Sequence, residues 1–189
     1  MDATAGLLRE RSVLDISVVE IARKVDTSPA TFYHYFKDVE EVALNLAEQA
    51  GAEMPALLEL MEDAWRGMQG MDTARAIVDA FITHWDAHHA VLQLRNLAAD
   101  NGDKRFSRIR REALRPVLDN LAAQIQASKD EGRVADEIHP QIAAAAMASI
   151  LERLSAHYRE LGHFGATREQ FVETCARILY QTVTGRSPR

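Results

Sequence analysis

Thr31, Tyr33 and His34 place a hydroxyl, a phenol and an imidazole within four residues, directly after Ser28-Pro29-Ala30. Such groups hydrogen-bond phosphate oxygens and base edges, and the small apolar surface beside them suits thymine methyl groups. Nothing comparable supports catalysis: there is no glycine-rich phosphate loop, no nucleophile elbow and no spaced set of Ser, His and Asp. His84 and His88 are four apart, a spacing that binds zinc on a helix, with Asp86 and His89 alongside. A metal site there would need further ligands from other helices. His157 and His163 are distant in sequence, and Cys175 is not placed to help. The pair Glu40 and Glu41 reads as solvated charge at a helix start. We therefore expect no enzyme, no cofactor and no metal.

The elements that must position those groups are legible in SVVEIARKVDTSPATFYHYF, Ser17 to Phe36. Ser17 and Glu20 have capping-box spacing, so a helix should begin just after Ser17. Val18, Ile21, Ala22 and Val25 recur at helical spacing and should pack inward. Asp26 falls in the turn, where a left-handed backbone tolerates Asp. Ser28 can cap a second helix with Pro29 at its first position. Phe32 and Phe36 should anchor that helix, leaving Pro29, Ala30, Thr31, Tyr33 and His34 outward. A second box, Asp38 with Glu41, should start the next helix at once. A helix–turn–helix of this design places its second helix in the major groove of double-stranded DNA.

The string SPATFYHYF, preceded by VVEIARKV and followed by KDVEEV, resembles the DNA-binding domain of the tetracycline-repressor (TetR) family of bacterial transcription regulators. The family's recognition-helix pattern is matched at Ser28, Thr31, Phe32, Tyr33, Tyr35 and Phe36. The resemblance implies a dimeric, all-α, ligand-responsive repressor, and it covers about the first fifty residues. It implies that Ser28, Pro29, Ala30, Thr31, Tyr33 and His34 face DNA. The chain departs from the pattern at Ser12, where a Gly usually closes the first helix, and at Val39, where many members carry a phosphate-holding Lys. Lys37 is near enough to substitute. The chain opens at Met1 inside the expected first helix, without the basic arm that often precedes it, which leaves room for a reading frame starting further upstream.

At 189 residues the chain can bury a full core. Helix formers dominate, Gly and Pro are few, and no alternating β-branched run reads as a strand, so an all-α fold is expected. The lone cysteine excludes an intramolecular disulfide and suits a reducing cytoplasm. No signal peptide and no membrane-spanning apolar stretch is read. The net charge is −6, and the first fifty residues hold nine acidic against five basic side chains. Phosphate neutralisation drives non-specific DNA affinity, so modest affinity and a shallow salt dependence follow unless the bases share one surface.

Two domains are expected: a three-helix DNA-binding domain over 1–50, and a larger helical effector-binding and dimerisation domain over 51–189. Helices should run from Val39 to Ala50, Met54 to Trp65, Asp72 to Ala87 and Val91 to Ala99, with Gly67–Gly70 as a break. A long helix from Lys104 to Lys129 should bend or break near Pro116. The stretch WDAHHAVLQLRNLAADNGDKRF resembles, less specifically, ligand-binding regions of some actinobacterial TetR-type regulators. Pro140 to Leu161 and Thr167 to Thr184 should form the last two helices. Their apolar stripes and the alanines Ala143 to Ala146 suit a four-helix homodimer interface, or equally an intrachain core. An adaptable effector pocket would draw on Met61, Trp65, Phe81, Trp85, His88, Leu92, Asn96, Met147, Leu151 and Tyr158, residues that could also be plain core. Arg95 could bind an anionic ligand or pair with a nearby acid. The rival readings are a protein of the same fold that serves as a ligand-binding or scaffold partner with DNA binding lost, and a small metal-dependent enzyme.

Overall fold

A computed structural model describes residues 2–8, 16–54, 65 and 67–186. Every regular element among them is helical. In chain order they are α1 (Asp2–Leu8), α2 (Val18–Lys24), α3 (Pro29–Tyr35), α4 (Val39–Ala52), α5 (Gly67–Asp100), α6 (Lys104–Asp130), α7 (Pro140–His157), a 3-10 helix (Tyr158–Phe164) and α8 (Arg168–Thr184). Residues 55–64 of the helix expected from Met54 to Trp65, and with them Met61, lie outside the described residues.

Two compact units are formed, each from two stretches of chain. The first combines residues 1–53 with 88–113. Its core holds Leu7, Ile16, Ile21, Phe32, Val42, Ala47, Val91, Phe106 and Ile109. The alanines Ala43, Ala47 and Ala50 on α4 are fully buried, which suits close helix approach. The second unit combines residues 54–87 with 114–189. There Ile77, Val78, Phe81 and Ile82 of α5, Val117, Leu121 and Ile125 of α6, and Leu179 of α8 are all buried. Ion pairs tie its rim: Arg75 to Glu173 at 2.7 Å and Arg168 to Asp79 at 2.6 Å.

The helices expected over 72–87 and 91–99 are present as the two parts of α5, joined across a kink at His88, whose backbone is non-helical (φ −120°, ψ 17°). Two expectations are corrected. Gly67–Gly70 is helical and opens α5. A side chain at Gly70 would meet the Trp65 backbone at 2.7 Å and the Tyr180 ring at 2.8 Å, so this glycine serves close packing and not helix termination. At the other end, α7 stops at His157 (φ −126°, ψ 13°), and Tyr158 to Phe164 tightens into 3-10 geometry before Gly165 turns left-handed at φ 79°. The long helix α6 remains one element through Pro116.

Candidate nucleic-acid interface

The helix pair is built by caps. Ser17 Oγ accepts the Glu20 N–H at 3.3 Å, and the Glu20 carboxylate accepts the Ser17 N–H at 3.0 Å, closing the box that starts α2. After Lys24 the chain turns through Asp26, whose φ of 52° is the left-handed conformation expected there, and the Thr27 N–H returns to the Ala22 carbonyl at 2.9 Å. Ser28, extended at φ −97° and ψ 154°, caps α3: its Oγ accepts the Thr31 N–H at 3.1 Å and shares a hydrogen bond with Thr31 Oγ1 at 3.0 Å. Pro29 occupies the first turn, where its missing N–H costs nothing. The next box is only half formed. Asp38 accepts the Glu41 N–H at 2.8 Å, but the Glu41 carboxylate takes the Lys37 N–H instead of that of Asp38.

Phe32 anchors α3. It is buried and stacks edge-on against Tyr33 (centroids 5.7 Å, 87°) and tilted against half-buried Phe36 at 5.7 Å. The remaining face is open: Ser28, Pro29, Ala30, Thr31, Tyr33, His34 and Lys37 are all exposed. His34 is held edge-to-face by Tyr35 at 5.2 Å. Two residues fall differently from their sequence assignment. Val25, expected inside, is 52% exposed, because as the α2 cap it leaves the helical path and its side chain leaves the buried face. Tyr35, for which the sequence suggests no outward role, is 71% exposed, more open than Tyr33. The i, i+2 spacing from Tyr33 concealed it, since two such residues share a face on neither side of a regular helix.

Charge is distributed more favourably than the first fifty residues suggest. Residues 88–113, part of the same unit, add six basic against three acidic side chains. Two of these reach back to α4: Arg105 pairs with Glu40 at 2.7 Å and Arg108 with Glu48 at 3.9 Å. Those acids are thereby engaged on α6, while Arg23, Lys24 and Lys37 stay exposed around the turn and α3. Asp103 caps α6, accepting the Arg105 N–H at 2.8 Å and the guanidinium at 2.7 Å. The Arg105 hydrogen bond, the largest cause, lowers the Asp103 carboxyl from 3.8 to about 2.

The side chains proposed for an effector pocket divide between the units. Phe81, Trp85, Met147 and Leu151 are buried in the second, where half-buried Tyr158 donates to Asp86 at 2.9 Å and Trp65 is also buried. His88, Leu92 and Asn96 belong to the first. His88 Nε2 lies 2.7 Å from Glu53, and buried Arg95 donates to Asn96 at 3.0 Å. Within the second unit, Trp65 Nε1 and Ser155 Oγ are buried with no hydrogen-bond partner. Ser155 carries no signal in the sequence, because a serine inside an alanine-rich helix reads as filler. Cys175 is buried too, and desolvation pushes its thiol up.

Residues 1–46 match the family model described as bacterial regulatory proteins of the tetR family, and residues 57–189 match the tetracyclin repressor-like C-terminal domain. This chain belongs to the tetracycline-repressor family. Its all-α architecture, with the helix–turn–helix in the first unit, is that of a DNA-binding transcriptional regulator. Solved structures share the fold. The fatty acid degradation regulator FadR from Bacillus halodurans is 17% identical with a TM-score of 0.70, covering 95% of this chain and 91% of its own. FadR from Bacillus subtilis, in complex with stearoyl-CoA, is 14% identical at 0.69, covering 98% and 96%. SmeT, the repressor of the Stenotrophomonas maltophilia multidrug efflux pump SmeDEF, is 15% identical at 0.60, covering 96% and 85%. Among the described residues of this tetracycline-repressor family member, no helix is long and apolar enough to cross a membrane.

Proposed function

We propose that this regulator is a cytoplasmic, homodimeric, ligand-responsive repressor that binds a near-palindromic operator. One observation carries the reading: Thr31, Tyr33 and His34 stand in solvent on a helix whose other side is anchored by buried Phe32. In this reading residues 1–50 form the DNA-binding domain. Pro29, Ala30, Thr31, Tyr33 and His34 meet the major groove, while the N-terminus of α3 at Ser28 and the Lys37 ammonium meet phosphate. Residues 51–189 hold the effector and the dimer contact.

The last two helices, α7 and α8, pair with their symmetry mates. Exposed Ile142 on α7 and Ile178 on α8 support this, because a lone chain leaves both in water. The exposed alanines Ala145 and Ala146 permit close helix approach. Two recognition helices related by a two-fold axis then read half-sites about one DNA turn, roughly 34–36 Å, apart. For the effector, the aromatic and Met side chains of the larger domain supply an adaptable wall, and the unpartnered Trp65 Nε1 and Ser155 Oγ supply polar anchors. The acyl-CoA complexes among structures of this fold support a small-molecule effector. Effector binding alters the separation of the two recognition helices only in so far as it favours one state over the other.

Fluorescence anisotropy on the DNA flanking its own gene tests the reading, with Tyr33→Ala as the comparison. Saturable binding that Tyr33→Ala weakens by about tenfold or more supports it. The acidic balance of residues 1–50 favours one rival, a ligand-binding protein of the same fold without DNA binding. Equal, weak binding of both proteins to operator and unrelated DNA selects that rival.

A further inference from the structure

Behind the DNA-facing side of α3, the first unit contains a half-open pocket. A cavity of about 280 Å³ lies between α1, α2 and α3, walled by Ala3 and Thr4, by Ile21 and Ala22, and by Thr31 and Phe32. Val25 and Tyr35, both exposed, also line it. Among the described residues, none that lines it carries a charge. An ionised ligand would lose its hydration there with no counter-charge, so only a neutral molecule fits. Thr4, fully buried in this wall, has a hydroxyl with no hydrogen-bond partner. A buried hydroxyl without a partner costs free energy that a ligand's hydrogen-bonding group recovers. An engineered cavity of about 150 Å³ accommodates benzene. Nearly twice that space takes one ring and a short alkyl arm.

We propose that this cavity binds a small neutral alcohol or phenol, with the ring or alkyl body against Ile21, Ala22 and Phe32 and the hydroxyl paired to Thr4. Thr31, Phe32 and Tyr35 belong to α3, so the occupant becomes part of the packing that sets the pitch of that helix. This is a second ligand site, separate from the effector region of the larger domain. It rests on the proposed function only for its consequence, an altered fit of α3 to DNA, and not for its existence.

The test uses 4-ethylphenol and ethylbenzene, titrated into the full-length, isotope-labelled protein and followed by amide NMR shifts. No DNA is present, so the site and the repressor reading fail separately. Saturable shifts concentrated in α1, α2 and α3 are expected, with 4-ethylphenol binding about fivefold more tightly than ethylbenzene, the gain of one net hydrogen bond. Thr4→Val, which keeps the shape and removes the hydroxyl, should bring the two probes within about twofold of each other. Ala22→Leu fills the space and should abolish both titrations. Val25→Trp, at the exposed edge, blocks access without loading the core and covers the case in which Ala22→Leu does not fold. Absence of saturable shifts in these helices, or shifts that survive both blocking variants, overturns the site. Tighter binding of ethylbenzene, or a phenol preference unchanged in Thr4→Val, overturns the assignment of the hydroxyl.

Discussion

Ser28 has two separable duties, and substituting it in two ways pulls them apart. Its Oγ accepts the Thr31 N–H at 3.1 Å at the start of a helix only seven residues long. Ser28→Ala leaves that N–H to water. Loss of such a cap costs about 1 kcal/mol, with a range of roughly 0.5–2. On a helix of under two turns this is roughly a fivefold rise in local opening, and operator affinity should fall by about the same three- to fivefold. Ser28→Asp behaves differently. Asp caps as well as Ser, and its charge gains a further ~0.3–1 kcal/mol from the helix dipole, so the folded protein should be as stable as wild type or more so. Yet it sets a carboxylate where phosphate is expected to dock, a like-charge contact costing about 1 kcal/mol at 4 Å even in bulk water and more once the interface excludes solvent. Operator affinity should then drop about tenfold or more. Urea unfolding followed by circular dichroism gives the stability order, and fluorescence anisotropy at fixed salt gives the affinity order. The expected orders are opposed: stability has Ser28→Ala lowest, affinity has Ser28→Asp lowest. Affinities that simply track stability would refute the placement of the α3 N-terminus against the DNA backbone.

Four further outcomes follow from the packing and the charges. Gly70→Ala forces a Cβ to within 2.7 Å of the Trp65 backbone and 2.8 Å of the Tyr180 ring, and should destabilise by about 1–3 kcal/mol in urea unfolding. Asp103 titrates lower in the folded chain, at about 2, than its ordinary 3.8. Its contribution is therefore complete above the unfolded value and is lost as the pH falls through the folded one. The urea midpoint of wild type should drop more steeply between about pH 5 and pH 2.5 than that of Asp103→Asn, and parallel curves would contradict the pairing. Ser155→Ala removes a buried hydroxyl that has no partner and should be neutral or stabilising in the effector-free protein; a loss above about 1 kcal/mol would mean that the hydroxyl is satisfied. Ile142→Glu together with Ile178→Glu should halve the mass measured by light scattering while the helical circular dichroism is retained; an unchanged mass would move the dimer contact off α7 and α8.

Where a feature depended on residues within one turn of each other, it could be read before any coordinates. The Ser17–Glu20 box, the Ser28–Pro29 start of α3 and the left-handed Asp26 all arise from interactions spanning three or four residues, and all are present. Errors gathered where distant parts of the chain decide. Gly67–Gly70 has the composition of a break, yet it is helical. The glycine at 70 is required by Trp65 and Tyr180, the latter more than a hundred residues away. Glu41 prefers the Lys37 N–H to the one its spacing suggested. Val25 and Tyr35 are open because their helices end there, and helical periodicity stops predicting direction at an end.

The sequence alone determined that this is an all-α protein with a helix–turn–helix near its start, and that Thr31, Tyr33 and His34 of α3 would face water. Caps, turn residues and the 3.6-residue period are local quantities, and each is written in adjacent letters. Tertiary structure decided the rest. It brought the arginines of α6 to the acids of α4, and it assigned residues 88–113 to the same unit as the recognition helix. It also formed a half-open pocket beside Thr4 and buried the Ser155 hydroxyl without a partner. Such features depend on which surfaces meet after the helices have formed, and one strand of letters carries no record of that meeting.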